Sequence, residues 1–254
     1  MNDYLKDKIT EDSVVACYMT DRWKRLRADA FLDLAQHMAV VGADTLQFGD
    51  TQLAPYGCVW VLARQHLRFE RPVLHKERIK MLTWHKGLDG LYFIRDYQLL
   101  DADGKPAVNS TSSWVIMNIA ERRIARGDFL SEIVSTDPQS SDDAIAERAP
   151  KVAAPRGAEL ELIGSHVVRY SDVDYNQHAN NVRYTVWAMD ALPEELVYEK
   201  FLKELTINFN KEARPGETVE LWHALAPDGS RTTSMWCTWI FVRIRHWWRC
   251  LTTR

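Results

Sequence analysis

The spacing of apolar and polar positions divides this chain into two stretches of similar design. In the first, Phe31, Leu34, Ala35 and Met38 recur at i, i+3, i+4 and i+7, which predicts a helix from about Asp29 with one apolar face. A short strand is expected before it, over residues 14–19. Runs rich in β-branched and aromatic residues follow at 58–70, 78–86, 91–100 and 107–119, and each reads as a strand. Asp101-Ala102-Asp103-Gly104 has the chemistry of a tight turn and joins the last two as a hairpin. The second stretch repeats this order. A strand is expected at 166–170, a helix at 182–192 stopped by Pro193, and strands at 203–211 and 218–224.

One helix followed by a long antiparallel run, twice over, predicts an α+β chain in which each half is a helix wrapped by a curved antiparallel sheet. Two such units can join sheet edges into one continuous sheet. Residues 131–160 are rich in Ser, Asp, Ala and Pro and lack a sustained apolar period, so they read as a connector with a short helix near 142–148. The expected organisation is a first half over 1–130, the connector over 131–160 and a second half over 161–254, with an atypical end from about residue 230.

Composition narrows the classes. An apolar fraction of 46% over 254 residues is enough for a sizeable core, and a net charge of −3 gives no bulk attraction to nucleic acid. Cys17, Cys58, Cys237 and Cys250 show no metal-binding or redox spacing and read as reduced structural thiols. The first twelve residues contain no apolar signal region, and no uncharged run reaches transmembrane length. These features lead us to expect a cytoplasmic protein without nucleic-acid partners or stable membrane insertion.

The candidate chemistry lies in YSDVDYNQHANNVRY, residues 170–184. Asp174, Asn176 and His178 alternate with Tyr175 and Gln177, so an extended backbone would point an acid, an amide and an imidazole the same way. Asn180 and Asn181 then open the second helix. Residues of these types also cap helices and make turns, and the internal repeat weighs the two readings. Placing Tyr170 on Tyr18 puts Asn181 on Asp29, and placing Phe209 on Phe69 aligns Glu217 with Glu77. Asp174, Asn176 and His178 then fall on Arg22, Lys24 and Leu26, and Glu212 falls on Pro72. A cluster present in one copy only is expected to be functional, since a structural cap would recur in both.

The same segment resembles the signature of the acyl-acyl carrier protein thioesterases, a plant and bacterial family built from two hotdog folds. The resemblance extends over roughly residues 10–228, through WVLARQHLRFERP (60–72), LYFIRDYQLLDADGKP (91–106) and the strand containing Trp114. It implies a tandem (double) hotdog fold and a catalytic set of Asp174, Asn176, His178 and Glu212, the last matched because it follows a basic residue, Lys211. Plant members often have Cys after this Glu. Ala213 stands there in this chain, so no thiol nucleophile is available at that position. The implied activity is hydrolysis of fatty acyl-acyl carrier protein, releasing free fatty acid and terminating fatty acid synthesis. The implied acyl site lies mainly in the first hotdog, with Phe31, Leu34, Met38 and Trp60 as wall candidates and Asn180 and Asn181 beside the reacting group.

This chemistry is sound on physical grounds. A thioester needs an activated water and a stabilised oxyanion. A carboxylate oriented by His can act as general base, while amide donors and a helix N-terminus can hold the oxyanion. In this assignment Glu212 is the base, Asp174 and His178 orient it, and Asn176 with a backbone N–H near Asn180 serves the oxyanion. A carboxylate nucleophile forming an anhydride fits the same residues. No metal or other cofactor is expected, as His166, His178 and His223 lack zinc-ligand spacing and no G-x-S-x-G elbow occurs.

The partner that the resemblance implies is the acidic acyl carrier protein. Lys200, Lys203, Lys211 and Arg214, or Arg22, Lys24, Arg25 and Arg27, could form a basic patch to receive it. A monomer and a homodimer of the double unit both accord with the fold. Two other functions fit the residues: an acyl-CoA thioesterase, and a non-catalytic acyl-binding hotdog protein. The end of the chain departs from the family pattern. From Ser230, Trp236, Trp239, Trp247 and Trp248 crowd together with interleaved Arg. Membrane-interface anchoring or nucleic-acid stacking could use such a stretch, but a truncated or frame-shifted terminus, one strand short and leaving an apolar sheet edge unpaired, is the expectation adopted.

Overall fold

A computed structural model describes residues 7–126, 132, 134–152, 160–225, 233–237 and 240–249. The first half supplies β1 (Ile9–Val14), β2 (Cys58–Phe69), β3 (Arg78–Asp89), β4 (Tyr92–Leu100), β5 (Pro106–Asn118) and the two-residue β6 (Arg123–Ile124). The second supplies β7 (Glu161–Val167), β8 (Lys200–Phe209), β9 (Thr218–Leu225), β10 (Thr233–Cys237) and β11 (Ile240–Arg249). All join one antiparallel sheet in the order β1-β3-β4-β5-β2-β8-β11-β10-β9-β7, with β6 paired to β5. Outward from the β2–β8 junction the two halves have the same connectivity. At that junction Leu67 faces Leu205 and Gln65 faces Ile207.

Helix α1 (Ala28–Thr45) lies between β1 and β2 in sequence, followed by the short α2 (Asp50–Leu53). Its counterpart α3 (Asn181–Asp190) lies between β7 and β8, followed by α4 (Glu194–Glu199). The 18 residues of α1 span about 27 Å. Its buried positions include Phe31, Leu32, Ala35, Met38, Ala39 and Gly42; of the stripe that the sequence spacing predicts, Phe31, Ala35 and Met38 are buried and Leu34 is half-buried. Phe31 meets Phe69 edge-on, and Phe69 meets Phe201 edge-on at 5.0 Å, so one core runs from α1 across the junction into the second half. Burying each of these rings contributes roughly 1.5–3 kcal/mol. No helix among the described residues is long and apolar enough to cross a membrane.

Four expectations are corrected. The strand expected at 14–19 is a 3₁₀ turn over Cys17–Met19, with β1 running before it. Likewise β7 ends at Val167 and Tyr170–Asp172 is a 3₁₀ turn. Both strands lie on sheet edges with mostly exposed side chains, so neither carries a strong apolar signal. No helix forms at 142–148. The connector instead straps the outer face of the first sheet: Asp96 accepts the Ala144 N–H at 2.8 Å, and the Trp84 indole donates to the Asp142 carbonyl at 2.8 Å. Finally, the end of the chain is paired. It forms β10 and β11, and β11 lies between β8 and β10, so the second half has five strands rather than four. Trp239 and Cys250 lie outside the described residues. Cys58 is buried, whereas Cys17 is exposed and has no core role.

The strap also fixes a histidine. His85 on β3 packs against Phe48 and Phe93, and its Nε2 lies 3.1 Å from the Ser135 carbonyl. Burial, with the nearby Arg95 charge, lowers its pKa from 6.5 to about 4. Between those values the unfolded chain binds a proton that the folded chain refuses. Stability is therefore full above about pH 6.5 and falls as pH drops toward 4, by roughly 3 kcal/mol in all. Urea midpoints across this window should fall less steeply for His85→Gln than for the parent. Parallel slopes would remove His85 as the cause.

Candidate active site

The segment holding Asp174, Asn176 and His178 is a closed turn, not an extended run. Val173 bridges Ala179, Asp174 N–H donates to the His178 carbonyl at 3.0 Å, and Gln177 N–H donates to the Asp174 carbonyl at 3.0 Å. Gln177 takes φ 65°, and Asp174 Oδ1 accepts the Asn176 N–H at 2.9 Å. An Asp that bonds the backbone two residues on favours such a turn. The three side chains therefore do not line one face of a strand, and Asn176 is exposed.

The first half contains the same turn. Thr20 bridges Leu26, Lys24 takes φ 61°, and Asp21 Oδ1 accepts the Trp23 N–H at 2.8 Å. The turns superpose Asp174 on Asp21, Asn176 on Trp23 and His178 on Arg25, one residue from the register expected. The later register is as expected: Glu77 accepts from Leu74 N–H as Glu217 accepts from Arg214 N–H, both at 2.9 Å, which leaves Glu212 on Pro72. Asp174 thus has an acidic counterpart that builds the same turn. The asymmetry between the halves rests on Asn176, His178 and Glu212.

The two turns carry different side chains and make different contacts. In the first, the Trp23 indole donates to the Tyr198 carbonyl at 2.7 Å. Arg25 pairs with Asp21 at 2.6 Å and lies over the Phe201 ring. In the second, His178 Nε2 stands 3.5 Å from Glu212 Oε1. The Ala179 N–H donates to the Ala213 carbonyl at 2.8 Å, which ties together the segments carrying those two side chains. The Tyr184 hydroxyl of α3 accepts the Ala213 N–H at 2.9 Å. Arg122, from the turn after β5 in the first half, reaches Glu212 Oε1 at 2.7 Å, and Arg214 lies 3.4 Å from the same oxygen. Burial pushes the Glu212 carboxyl up, but the Arg122 hydrogen bond, His178 and Arg214 outweigh it and hold the group below the usual carboxylate range.

At the helix entrance Asn180 is an N-cap. Its Oδ1 accepts the Val182 N–H at 2.8 Å, its own N–H donates to the Asp172 carbonyl, and its carbonyl accepts from Arg183. The Asn181 N–H is the first-turn donor with no acceptor among the described residues. A second acid–imidazole pair, His166 and Asp172 at 2.8 Å, lies apart from this site, with the His166 ring stacked on Trp187. It fastens β7 to α3.

A small apolar cleft runs under α1. Asn181 and Phe209, three residues from His178 and Glu212 respectively, form one end with Val182. Leu32, Ala35 and Gln36 of α1 form its roof, and Leu62, Gln65, Tyr97 and Trp114 form the sheet side. The wall candidates from the sequence lie elsewhere. Phe31 and Met38 are core, and Leu34 with Met38 borders a separate depression beside Glu11 and His37. Trp60 packs with Phe48 and Phe93 in a second cluster, and its Nε1 donates to the Phe48 carbonyl. Of the substrate-side candidates, Asn181 alone lines the cleft. The residues missed are Gln65, Tyr97, Trp114 and Arg122. A signal existed for the sheet side: Gln65 and the run Ser110-Thr111-Ser112-Ser113 are polar positions in otherwise apolar strands. Arg122 sits in a turn at φ 52° and leaves no pattern.

Comparison with known proteins agrees with this architecture. Residues 6–135 match the acyl-ACP thioesterase N-terminal domain and residues 159–240 its C-terminal domain. The chain is 28% identical over 226 residues to oleoyl-acyl carrier protein thioesterase 1 of Arabidopsis thaliana, covering 83% of this chain and 62% of that protein. It is 26% identical over 230 residues to the oleoyl-acyl carrier protein thioesterase of Coriandrum sativum, covering 83% and 60%. The chain thus spans about three fifths of the length of these chloroplastic relatives. Among solved structures, an acyl-ACP thioesterase of Bacteroides thetaiotaomicron shares the fold at TM-score 0.83 and 19% identity, covering 94% of this chain and 97% of that one. The 12:0-ACP thioesterase of Umbellularia californica does so at 0.78 and 17%, covering 96% and 98%. With a helix wrapped by five strands repeated across one sheet, and both family domains matched along its length, this chain belongs to the acyl-ACP thioesterase family.

Proposed function

We propose that this chain hydrolyses the thioester of fatty acyl-acyl carrier protein and releases free fatty acid. The observation that carries the reading is the His178–Glu212 pair, with Asn181 and Phe209, each three residues from a member of the pair, lining the apolar cleft under α1. The acyl chain enters the cleft under α1 and brings its thioester carbonyl to the entrance of α3. Ionised Glu212 takes a proton from water as general base, and His178 orients it. The Asn181 N–H at the helix N-terminus, with Asn176, serves the oxyanion. The carrier thiolate leaves and the water oxygen becomes part of the free acid. Asp174 contributes by shaping the turn that presents His178. The reaction uses protein groups and water alone.

The carrier is acidic, and exposed Arg22, Lys24, Lys211 and Arg214 support a basic approach to the site. Arg25 is buried in its pair with Asp21 and does not belong to that surface. A cytoplasmic location accompanies this reading, and a monomer suffices for it, because both sides of the cleft come from one chain. Free-thiol release should be followed for one acyl group on carrier protein and on CoA, at low and high salt. The expected result is faster turnover of the carrier-linked substrate, with kcat/KM falling as salt rises. Equal turnover of CoA thioesters would make it an acyl-CoA thioesterase. Acyl binding without turnover would make it a binding protein.

A further inference from the structure

Three polar side chains on the sheet side of the cleft, Gln65, Tyr97 and Trp114, come from β2, β4 and β5. Each has a serine close by. Cross-strand pairing sets Gln65 opposite Ser112 and Tyr97 opposite Ser110. The Ser112 hydroxyl serves two of the three: it accepts from the Trp114 indole at 2.7 Å and lies 3.3 Å from the Tyr97 hydroxyl. Both groups are satisfied within the wall and require nothing from an occupant of the cleft.

Gln65 differs. It is 3% exposed, and its Nε2 donates to the Ser110 hydroxyl at 2.6 Å. Ser110 fixes which way the amide points. A serine hydroxyl has one proton, and Ser110 gives its own to the His66 carbonyl at 2.7 Å. Towards Gln65 it can only accept, so the amide presents its nitrogen there and Oε1 is left over. Among the described residues no donor reaches Oε1. Packing does not explain an amide at this position. Leu67, two residues along the same face of β2, and Ile207, across the junction, are apolar and fully buried. A buried amide oxygen without a donor costs stability, and this one belongs to a side chain that lines the cleft.

We infer that the cleft takes an acyl chain bearing a hydroxyl group, and that Gln65 is the residue that recognises it. The inference rests on the thioesterase reading for its substrate. The hydroxyl donates to Gln65 Oε1. An unsubstituted alkyl chain in the same place shuts water away from that oxygen and supplies no donor in exchange. The position of the hydroxyl follows from the sheet. Gln65 pairs with Ile207, and Phe209, two residues further along β8, lines the cleft beside Asn181. One strand spacing and two residues of strand put the Gln65 and Phe209 backbones about 8 Å apart. The hydroxyl therefore sits on the carbons nearer the thioester, not at the far end of the chain.

The test uses acyl-carrier substrates of one chain length, unsubstituted or hydroxylated at successive carbons from the second onward. Wild type, Gln65→Met and Ser110→Ala are compared, each checked for folding by circular dichroism. Methionine keeps the length of the side chain and removes the acceptor, and Ser110→Ala frees the amide to rotate. Thiol release gives kcat/KM, and displacement of a fluorescent fatty acid by the matching free acids gives binding without turnover. In wild type a hydroxyl near the carbonyl should be favoured over the unsubstituted chain by about tenfold, the effect of one hydrogen bond to a buried amide. Gln65→Met should erase that preference and improve the unsubstituted chain, and Ser110→Ala should weaken it. If wild type turns over substrate and favours the unsubstituted chain against every hydroxylated one, the inference is overturned and the thioesterase reading stands. A hydroxyl preference that both folded variants keep overturns the role of Gln65. If wild type shows no turnover, the thioesterase reading falls, and the binding series decides Gln65 by the same comparison.

Discussion

Glu212→Gln should lower kcat for acyl-carrier hydrolysis by about 10²–10⁴-fold, the usual contribution of a positioned general base. The amide keeps the size of the carboxyl and can still accept from Arg122, so the loop around Ala213 keeps its shape. It cannot take a proton from water, and it cancels the charge that His178, Arg122 and Arg214 surround. Stability should change little. The arginine head groups are mostly exposed, and pairs of that kind contribute about 0–1 kcal/mol. The variant should melt close to wild type while thiol release collapses. Equal turnover in both would take Glu212 out of the reaction. A single turnover in heavy-oxygen water reports which carbonyl the water attacks: label in Glu212 shows an anhydride cleaved at the Glu212 carbonyl, whereas label only in the fatty acid shows attack on the acyl carbonyl, as general-base hydrolysis requires.

Removing residues 228–254 should abolish the folded state. This deletion takes away β10 and β11, and β11 is an interior strand. It pairs with β8 at nine positions on one side and with β10 on the other. Without it β8 faces solvent on one edge, and β9 and β7 lose their link to the rest of the sheet. Domains of ordinary stability have only about 5–15 kcal/mol to lose, and unpairing the middle of a sheet exceeds that. The truncated chain should be insoluble, or should lack a cooperative melting transition by circular dichroism. A soluble truncation that melts near the wild-type temperature would make the tail peripheral after all.

How much of this was legible can be judged at particular residues. The long strands and both helices follow from apolar spacing because each presents a buried face, and burial is what the spacing records. β1 and β7 were misplaced because edge strands bury little. β10 and β11 were missed because the run from Ser230 follows no alternation that separates it from a surface aromatic cluster. Phe31, Leu34, Met38 and Trp60 do not line the cleft under α1, since apolar residues at helical spacing face the core first. Gln65 and Tyr97 do line it, polar positions whose value depends on what lies across from them.

By itself, the sequence determined the α+β class, the twofold repeat, the hairpin at Asp101–Gly104, and the segments that carry the candidate chemistry. These are local properties: period, turn residues and the identity of titratable groups. The tertiary structure decided the rest. It shifted the repeat by one residue, because the two turns match in hydrogen bonds and in left-handed Lys24 and Gln177 rather than in residue type. It gave Asp174 a structural counterpart in Asp21. It brought Arg122 from one half onto Glu212 of the other, 90 positions apart, and set Arg95 against Gly42. Contacts between distant segments depend on how two sheets join and how a helix lies across them, and no local spacing encodes that.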